Sequence, residues 1–152
     1  MKSIVLYYSR TGKTEKLAKK AAAALGSDLL KVEAEKAYGS FFSSVLRVLK
    51  EKKKGITPPA KTQTPALDSY DTVLIGYPVW ASDIPSFFAD FIRKCNLKGK
   101  KVIPFATSGG SGIEGSMKTI KAICPESEVI HPYHYGFDKK DNFDKWVEAI
   151  RG

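Results

Sequence analysis

Ile4-Val-Leu-Tyr-Tyr-Ser-Arg-Thr-Gly-Lys-Thr14 is the stretch that decides the fold. Its first half is a short, continuous apolar run, the pattern of a strand buried on both faces of a parallel sheet. Its second half is a hydroxyl-rich turn around Gly12. Directly behind it Leu17, Ala18, Ala21, Ala22 and Leu25 share one face of a helix. A strand that passes through a glycine turn into a helix is the first unit of an α/β sheet.

The same alternation recurs along the chain. Val73-Leu-Ile-Gly76 and Val102-Ile-Pro-Phe-Ala106 are further buried-strand runs, whereas Leu29-Leu-Lys-Val-Glu33 and Val129-Ile-His131 are shorter or interrupted by charge and are expected at the edges. Pro104 cannot donate to a sheet ladder, so a bulge or a local edge is required beside it. Helical spacing falls on Phe87, Phe88, Phe91 and Ile92, on Met117, Ile120 and Ile123, and on Phe143, Trp146, Val147 and Ile150. Between Ala34 and Ser69 the pattern changes to a basic amphipathic helix from Phe41 to Lys53, followed by a proline-rich extended segment from Ile56 to Pro65.

The 152 residues make one domain, 1–152, against a usual size of about 150. With 43% hydrophobic and 27% charged residues, wholesale disorder is excluded. No apolar run approaches the ~18 residues of a membrane span, and a cytoplasmic address is the default expectation. Cys95 and Cys124 form no CxxC pair and read as buried or free thiols of a reducing compartment, with one disulfide between them as the alternative. The net charge of +9, with basic clusters at Arg47 to Lys54 and Arg93 to Lys101, points either to an anionic ligand or partner or to solvated helix faces. Nucleic acid is not expected, because neither a recognisable module nor aromatic interleaving accompanies the lysines.

In a doubly wound sheet, ligands sit outside the carboxyl ends of the strands where strand order reverses. Three loops therefore matter. After the first strand, Ser9, Arg10, Thr11, Gly12, Lys13 and Thr14 combine hydroxyls with the open amides of a helix N-terminus, which suits a phosphate monoester. The triphosphate P-loop needs glycine at the position Tyr7 occupies, so that motif is absent. After the third strand, Pro78, Val79, Trp80 and Ala81 offer an aromatic surface on a proline-stiffened turn, with Ser82 a cap candidate, Asp83 an acidic charge and Pro85 a first-turn residue for the next helix. After the fourth, Thr107, Ser108, Gly109 and Gly110 allow close backbone approach. A flat heteroaromatic ring carrying a phosphate fits such a trio.

On these three segments the chain resembles the flavodoxin family over nearly its whole length, from Met1 to about Ile150. The resemblance implies a five-stranded parallel sheet of order 2-1-3-4-5 with helices on both faces, and noncovalent FMN as cofactor. It implies that Ser9 to Thr14 hold the FMN phosphate, that Pro78 to Ala81 flank the ring with Trp80 as the stacking residue, and that Thr107 to Gly110 border its other edge. The short run around Val129 fits the short-chain form. Two features depart from the family: the chain is basic where electron-shuttling flavodoxins are acidic, and the loop from Pro78 to Asp83 contains no glycine. Since non-glycine residues resist positive φ, weaker stabilisation of the neutral one-electron-reduced flavin is expected.

Three functions follow from this reading. The first is an FMN protein carrying one or two electrons between a reductase and an acceptor, with acidic redox proteins as partners. The second is an FMN-dependent NAD(P)H or quinone reductase. The third is a flavin-free binding module that uses Lys50 to Lys54. His131 and His134 lack acidic or cysteine partners in sequence and read as structural or supporting residues, not metal ligands. Tyr133 and Tyr135 read as loop residues.

Overall fold

The computed structural model describes residues 1–36, 41–54, 59–136 and 141–152, the side chains of residues 41–45 and 52 excluded. β1 (Ser3–Tyr7) is wholly buried and lies between β2 (Asp28–Lys31) and β3 (Thr72–Pro78), with Leu6 opposite Leu30 on one side and Ile75 on the other. β4 (Lys101–Ser108) continues the sheet from β3, Leu74 facing Ile103. All these pairs are parallel, in the order 2-1-3-4-5. β2 starts one residue earlier and ends two residues earlier than the apolar pattern implied, and it is an edge strand as expected.

The fifth position is filled by two short strands in line. β5 (Glu128–Val129) pairs with Lys101 and Val102, and β6 (Tyr133–Gly136) pairs with Phe105 to Ser108. The expected run from Val129 to His131 therefore stops at Val129, where His131 adopts φ 48° and Pro132 has no ladder donor. Pro104 explains why the sheet tolerates the interruption. Lys101 donates to the Asp71 carbonyl and the Thr107 carbonyl accepts from Val79, so odd residues of β4 address β3. The Val102 carbonyl accepts from Ile130, so even residues address β5 and β6. Pro104 thus turns its missing N–H toward the gap between β5 and β6, the local edge that its chemistry requires.

Alternating side chains divide the core into two layers. Val5, Leu74, Ile103 and Phe105 pack beneath α1 (Lys13–Leu25) and α5 (Phe143–Arg151) through Leu17, Ala18, Trp146 and Val147. Ile4, Leu6, Val73, Ile75 and Val102 pack on the opposite face against α2 (Phe41–Lys54), α3 (Ser86–Lys94) and α4 (Glu114–Ile123) through Val48, Phe88 and Ile120. Gly76 is required by close approach: a Cβ there would fall 2.2 Å from Cζ of Phe105. Of the proline-rich segment, Ile56, Thr57 and Pro58 lie outside the described residues. Beyond them Ala60 forms an antiparallel bridge with Ala34. No helix among the described residues is long and apolar enough to cross a membrane.

Cys95 and Cys124 are both free and buried, and burial pushes their thiols up to about 12 and about 11 respectively. Burial likewise pushes the phenols of Tyr7, Tyr8 and Tyr77 up to about 12. As pH rises above about 9, the unfolded chain releases these protons first while the folded chain retains them, so stability falls with rising pH. Each group contributes up to about 1.4 kcal/mol per pH unit within its window. The urea midpoint is expected to drop clearly between about pH 7 and about pH 10.5; an unchanged midpoint would contradict the burial of these groups.

Candidate functional site

Parallel pairing places the carboxyl ends of β1, β3 and β4 along one edge of the sheet, with the loops that follow them side by side. In the first loop Gly12 takes φ 97° and forms the N-cap of α1 without any side-chain capping bond. Ser9 and Thr11 are thus not helix caps. The Gly12 N–H donates to Ser9 Oγ at 3.0 Å, which tightens the turn and leaves the Ser9 hydroxyl hydrogen to donate elsewhere. The first intrahelical bond runs from Lys16 N–H to the Gly12 carbonyl, 3.0 Å. The amides of Lys13, Thr14 and Glu15 precede it and stay open at the positive end of the helix dipole. Glu15 does not cover them. Its carboxylate accepts from the Tyr7 hydroxyl at 2.9 Å and pairs with Lys31 at 3.4 Å, contacts that hold it below the usual carboxylate range.

Thr14 behaves differently from the other hydroxyls of the loop. Its side chain is buried, and its Oγ1 lies 2.8 Å from Thr107 Oγ1 at the end of β4. One hydrogen of the pair is used between the two oxygens; the other remains to be donated. This bond ties the first loop to the third across the sheet edge.

The second loop is a tight hairpin. Val79 N–H donates to the Thr107 carbonyl at 2.9 Å, and Trp80 and Asp83 exchange backbone bonds of 2.8 and 3.0 Å around Ala81 (φ 49°) and Ser82 (φ 63°). Two central residues at positive φ define a type I′ turn. The two residues thus hold, without glycine, a conformation that non-glycine residues resist. The reason is support from α4: Asp83 Oδ1 accepts from Ile84 N–H and from the Thr119 hydroxyl, both at 2.8 Å. The Ser82 carbonyl also lies so close to Gly115 that a Cβ there would come within 2.3 Å. Surroundings that over-determine a turn can hold strained φ values. It follows that Ser82 caps no helix and that Asp83 lies outside the first turn of α3. That helix begins at Ser86 with Pro85 as its N-cap residue. Trp80, half-buried, meets the edge of Tyr8 at 5.5 Å, and Tyr8 meets Phe87 at 4.7 Å.

The third loop rests on buried polar supports. Ser116 Oγ donates to the Ile113 carbonyl and accepts from the Tyr77 hydroxyl, both at 2.8 Å, fixing the start of α4. Ser108 Oγ lies 2.7 Å from the Ser111 carbonyl and within bonding distance of His134 Nε2, so His134 steadies this loop as a supporting residue. Gly109 and Gly110 are exposed, with open space where a Cβ would stand. Tyr133 is not a loop residue: it is buried in β6 and stacks on Trp146 at 4.8 Å. Tyr135 is not a loop residue either: it lies in β6 opposite Thr107, exposed, and His131 is exposed as well.

Every residue singled out by the sequence, Ser9 to Thr14, Pro78 to Ala81 and Thr107 to Gly110, therefore lies at one sheet edge. Arg10 is half-buried there and Lys13 is exposed. Sequence reasoning missed the Thr14–Thr107 bond, the contact of Tyr8 with Trp80, and the grip of Thr119 on Asp83. Only the first had a sequence signal, since Thr14 opens the helix after the first strand and Thr107 closes the fourth strand, two positions that a parallel sheet brings to one edge.

The flavodoxin family profile matches residues 2–150. A search of curated proteins found no match. Among solved structures, a protein of Bacteroides eggerthii assigned as a flavoprotein is 33% identical, covers 98% of this chain and 94% of its own, and superposes with a TM-score of 0.82. A protein of Bacteroides uniformis with the same assignment is 27% identical, with coverages of 99% and 98% and a TM-score of 0.84. A flavoprotein of Lactobacillus acidophilus, solved in complex with FMN, shares the fold at 23% identity, coverages of 95% and 97% and a TM-score of 0.78.

Two outcomes test the geometry. Ala81→Gly relieves a left-handed residue and is expected to raise stability by about 1 kcal/mol, read as a higher urea midpoint; a lower midpoint would contradict the type I′ turn. Thr14→Val leaves the Thr107 hydroxyl without its buried partner and is expected to cost about 1–3 kcal/mol, whereas T14V/T107V costs less than the single change. Additive losses in that cycle would show that the two hydroxyls do not interact.

Proposed function

This chain belongs to the flavodoxin family, and from that we propose that its three carboxyl-end loops hold FMN and that it carries electrons between a donor protein and an acceptor. The observation that carries the reading is the hydroxyl-and-amide cradle from Ser9 to Glu15, joined by the Thr14–Thr107 bond to the loops bearing Trp80 and Gly109. The donor set fits the group. It presents open amides, free hydroxyl hydrogens and a helix dipole toward a dianion, an exposed glycine pair beside it, and an aromatic side chain.

In this reading the amides of Lys13, Thr14 and Glu15 and the hydroxyls of Ser9 and Thr11 bind the phosphate. Arg10 and Lys13 add positive charge at the rim. Trp80, held by the hairpin and by Tyr8, covers the ring and excludes water, while Gly109 and Gly110 allow its polar edge to approach backbone donors. FMN bound there supplies one- and two-electron redox chemistry, and the protein sets its orientation and potential.

Titration of the flavin-stripped protein with FMN, followed by flavin fluorescence, is expected to show stoichiometric quenching. Riboflavin, which lacks the phosphate, is expected to bind about a hundredfold more weakly, the loss of roughly two charge-assisted hydrogen bonds. Equal affinities would contradict the phosphate cradle, and absence of quenching would contradict the FMN reading. Rapid reduction of the bound flavin by NADH or NADPH alone would replace the carrier by the reductase.

A further inference from the structure

The solvent face of α2 carries a pattern that neither the core nor the cradle explains. At 100° per residue, Leu46, Leu49, Lys50 and Lys53 fall on one stripe, with Lys54 beside it. Leu46 and Leu49 are 54% and 52% exposed, unusual for leucines on a helix that already has a buried side. That side is occupied. Val48 enters the core, and Glu51 is buried and held by Arg47 Nε at 2.8 Å, while Arg47 Nη1 also donates to the Lys36 carbonyl at 2.9 Å. The only acidic residue from Leu46 to Lys54 is thereby withdrawn and neutralised. Among its described side chains, what α2 shows to solvent is an apolar centre with a cationic rim. The helix also shares a core layer with the candidate site: Val48 and Tyr8 belong to the same buried cluster, and the ring of Tyr8 touches Trp80.

We propose that this face of α2 is the docking surface for an acidic redox protein, which seats an apolar spot on Leu46 and Leu49 and ranges its carboxylates against Lys50, Lys53 and Lys54. The proposal rests on the electron-carrier reading and adds the place and chemistry of the partner. An apolar centre with a charged rim is the anatomy of a transient protein interface, where charge sets the encounter rate and orientation. Among the described side chains of α2, Leu46 and Leu49 alone are apolar and exposed, narrower than the broad apolar face that holds a helix on a membrane. Nucleic-acid binding would call for aromatic or groove-reading elements beside the lysines, and Leu46 and Leu49 serve neither purpose.

The test uses the isotopically labelled protein with FMN added, rubredoxin as the acidic probe and cytochrome c as the basic one, with amide shifts as the readout. Rubredoxin is expected to shift amides of residues 46–54 at low salt, and the shifts are expected to vanish at about 0.3 M salt. K50E/K53E/K54E is expected to weaken the association at least about tenfold, and K19E/K20E/K145E, the same charge change on the opposite side of the sheet, much less. Leu46→Ser is expected to weaken it at unchanged charge. Shifts centred on Arg93 to Lys101, equal losses from the two triple variants, stronger shifts with cytochrome c, or sedimentation with phosphatidylserine vesicles in place of rubredoxin binding would each overturn the proposal. Flavin fluorescence in the same samples reports FMN binding separately, so failure of the cofactor reading is distinguished from failure of the docking surface.

Discussion

Parallel strand pairing is the constraint on which the rest depends. Because β1, β3 and β4 run in one direction, each returns through a helix and each delivers its carboxyl end to the same edge. Loops about 70 and about 100 residues apart in sequence then become neighbours, and the Thr14–Thr107 bond is the direct expression of that neighbourhood. The burial of these strands on both faces fixes their register, since a one-residue slip would exchange the two core layers.

The loops are held by different physics. The first is set by one glycine at positive φ and a serine that accepts its amide, leaving helix donors open. The second carries strain: Ala81 and Ser82 stay left-handed because Asp83, Thr119 and Gly115 clamp the hairpin onto α4. The third is small and open at its tip, while Ser116, Tyr77 and His134 brace its ends. A rigid base with an open rim suits a site that grips a phosphate and leaves a ring accessible to another protein.

Much of this was legible in the sequence. The buried strands announced themselves as continuous apolar runs, the helices by three-and-four spacing, and the candidate residues by position after a strand. Pro104 correctly demanded a local edge, although the edge took the form of a split fifth strand that the short run at Val129 did not reveal, because His131 leaves the extended region and Pro132 has no donor. The turn at Ala81 and Ser82 was illegible because local preference argues against it and only tertiary support from α4 permits it. Tyr133 misled for a similar reason: its neighbours look like a loop, and its ring is claimed by Trp146. The pattern from Phe41 to Lys53 announces a basic amphipathic helix, but it does not show that Leu46 and Leu49 stand in solvent.

The central claim is that one sheet edge, built from three loops, holds FMN. The most direct measurement is a map of backbone amide shifts as FMN is added to the flavin-stripped protein. The account predicts large shifts confined to Ser9 to Glu15, Val79 to Asp83 and Ser108 to Ile113, with the first group also responding to inorganic phosphate at high concentration. Shifts spread over the opposite edge of the sheet, or none at all, would contradict it.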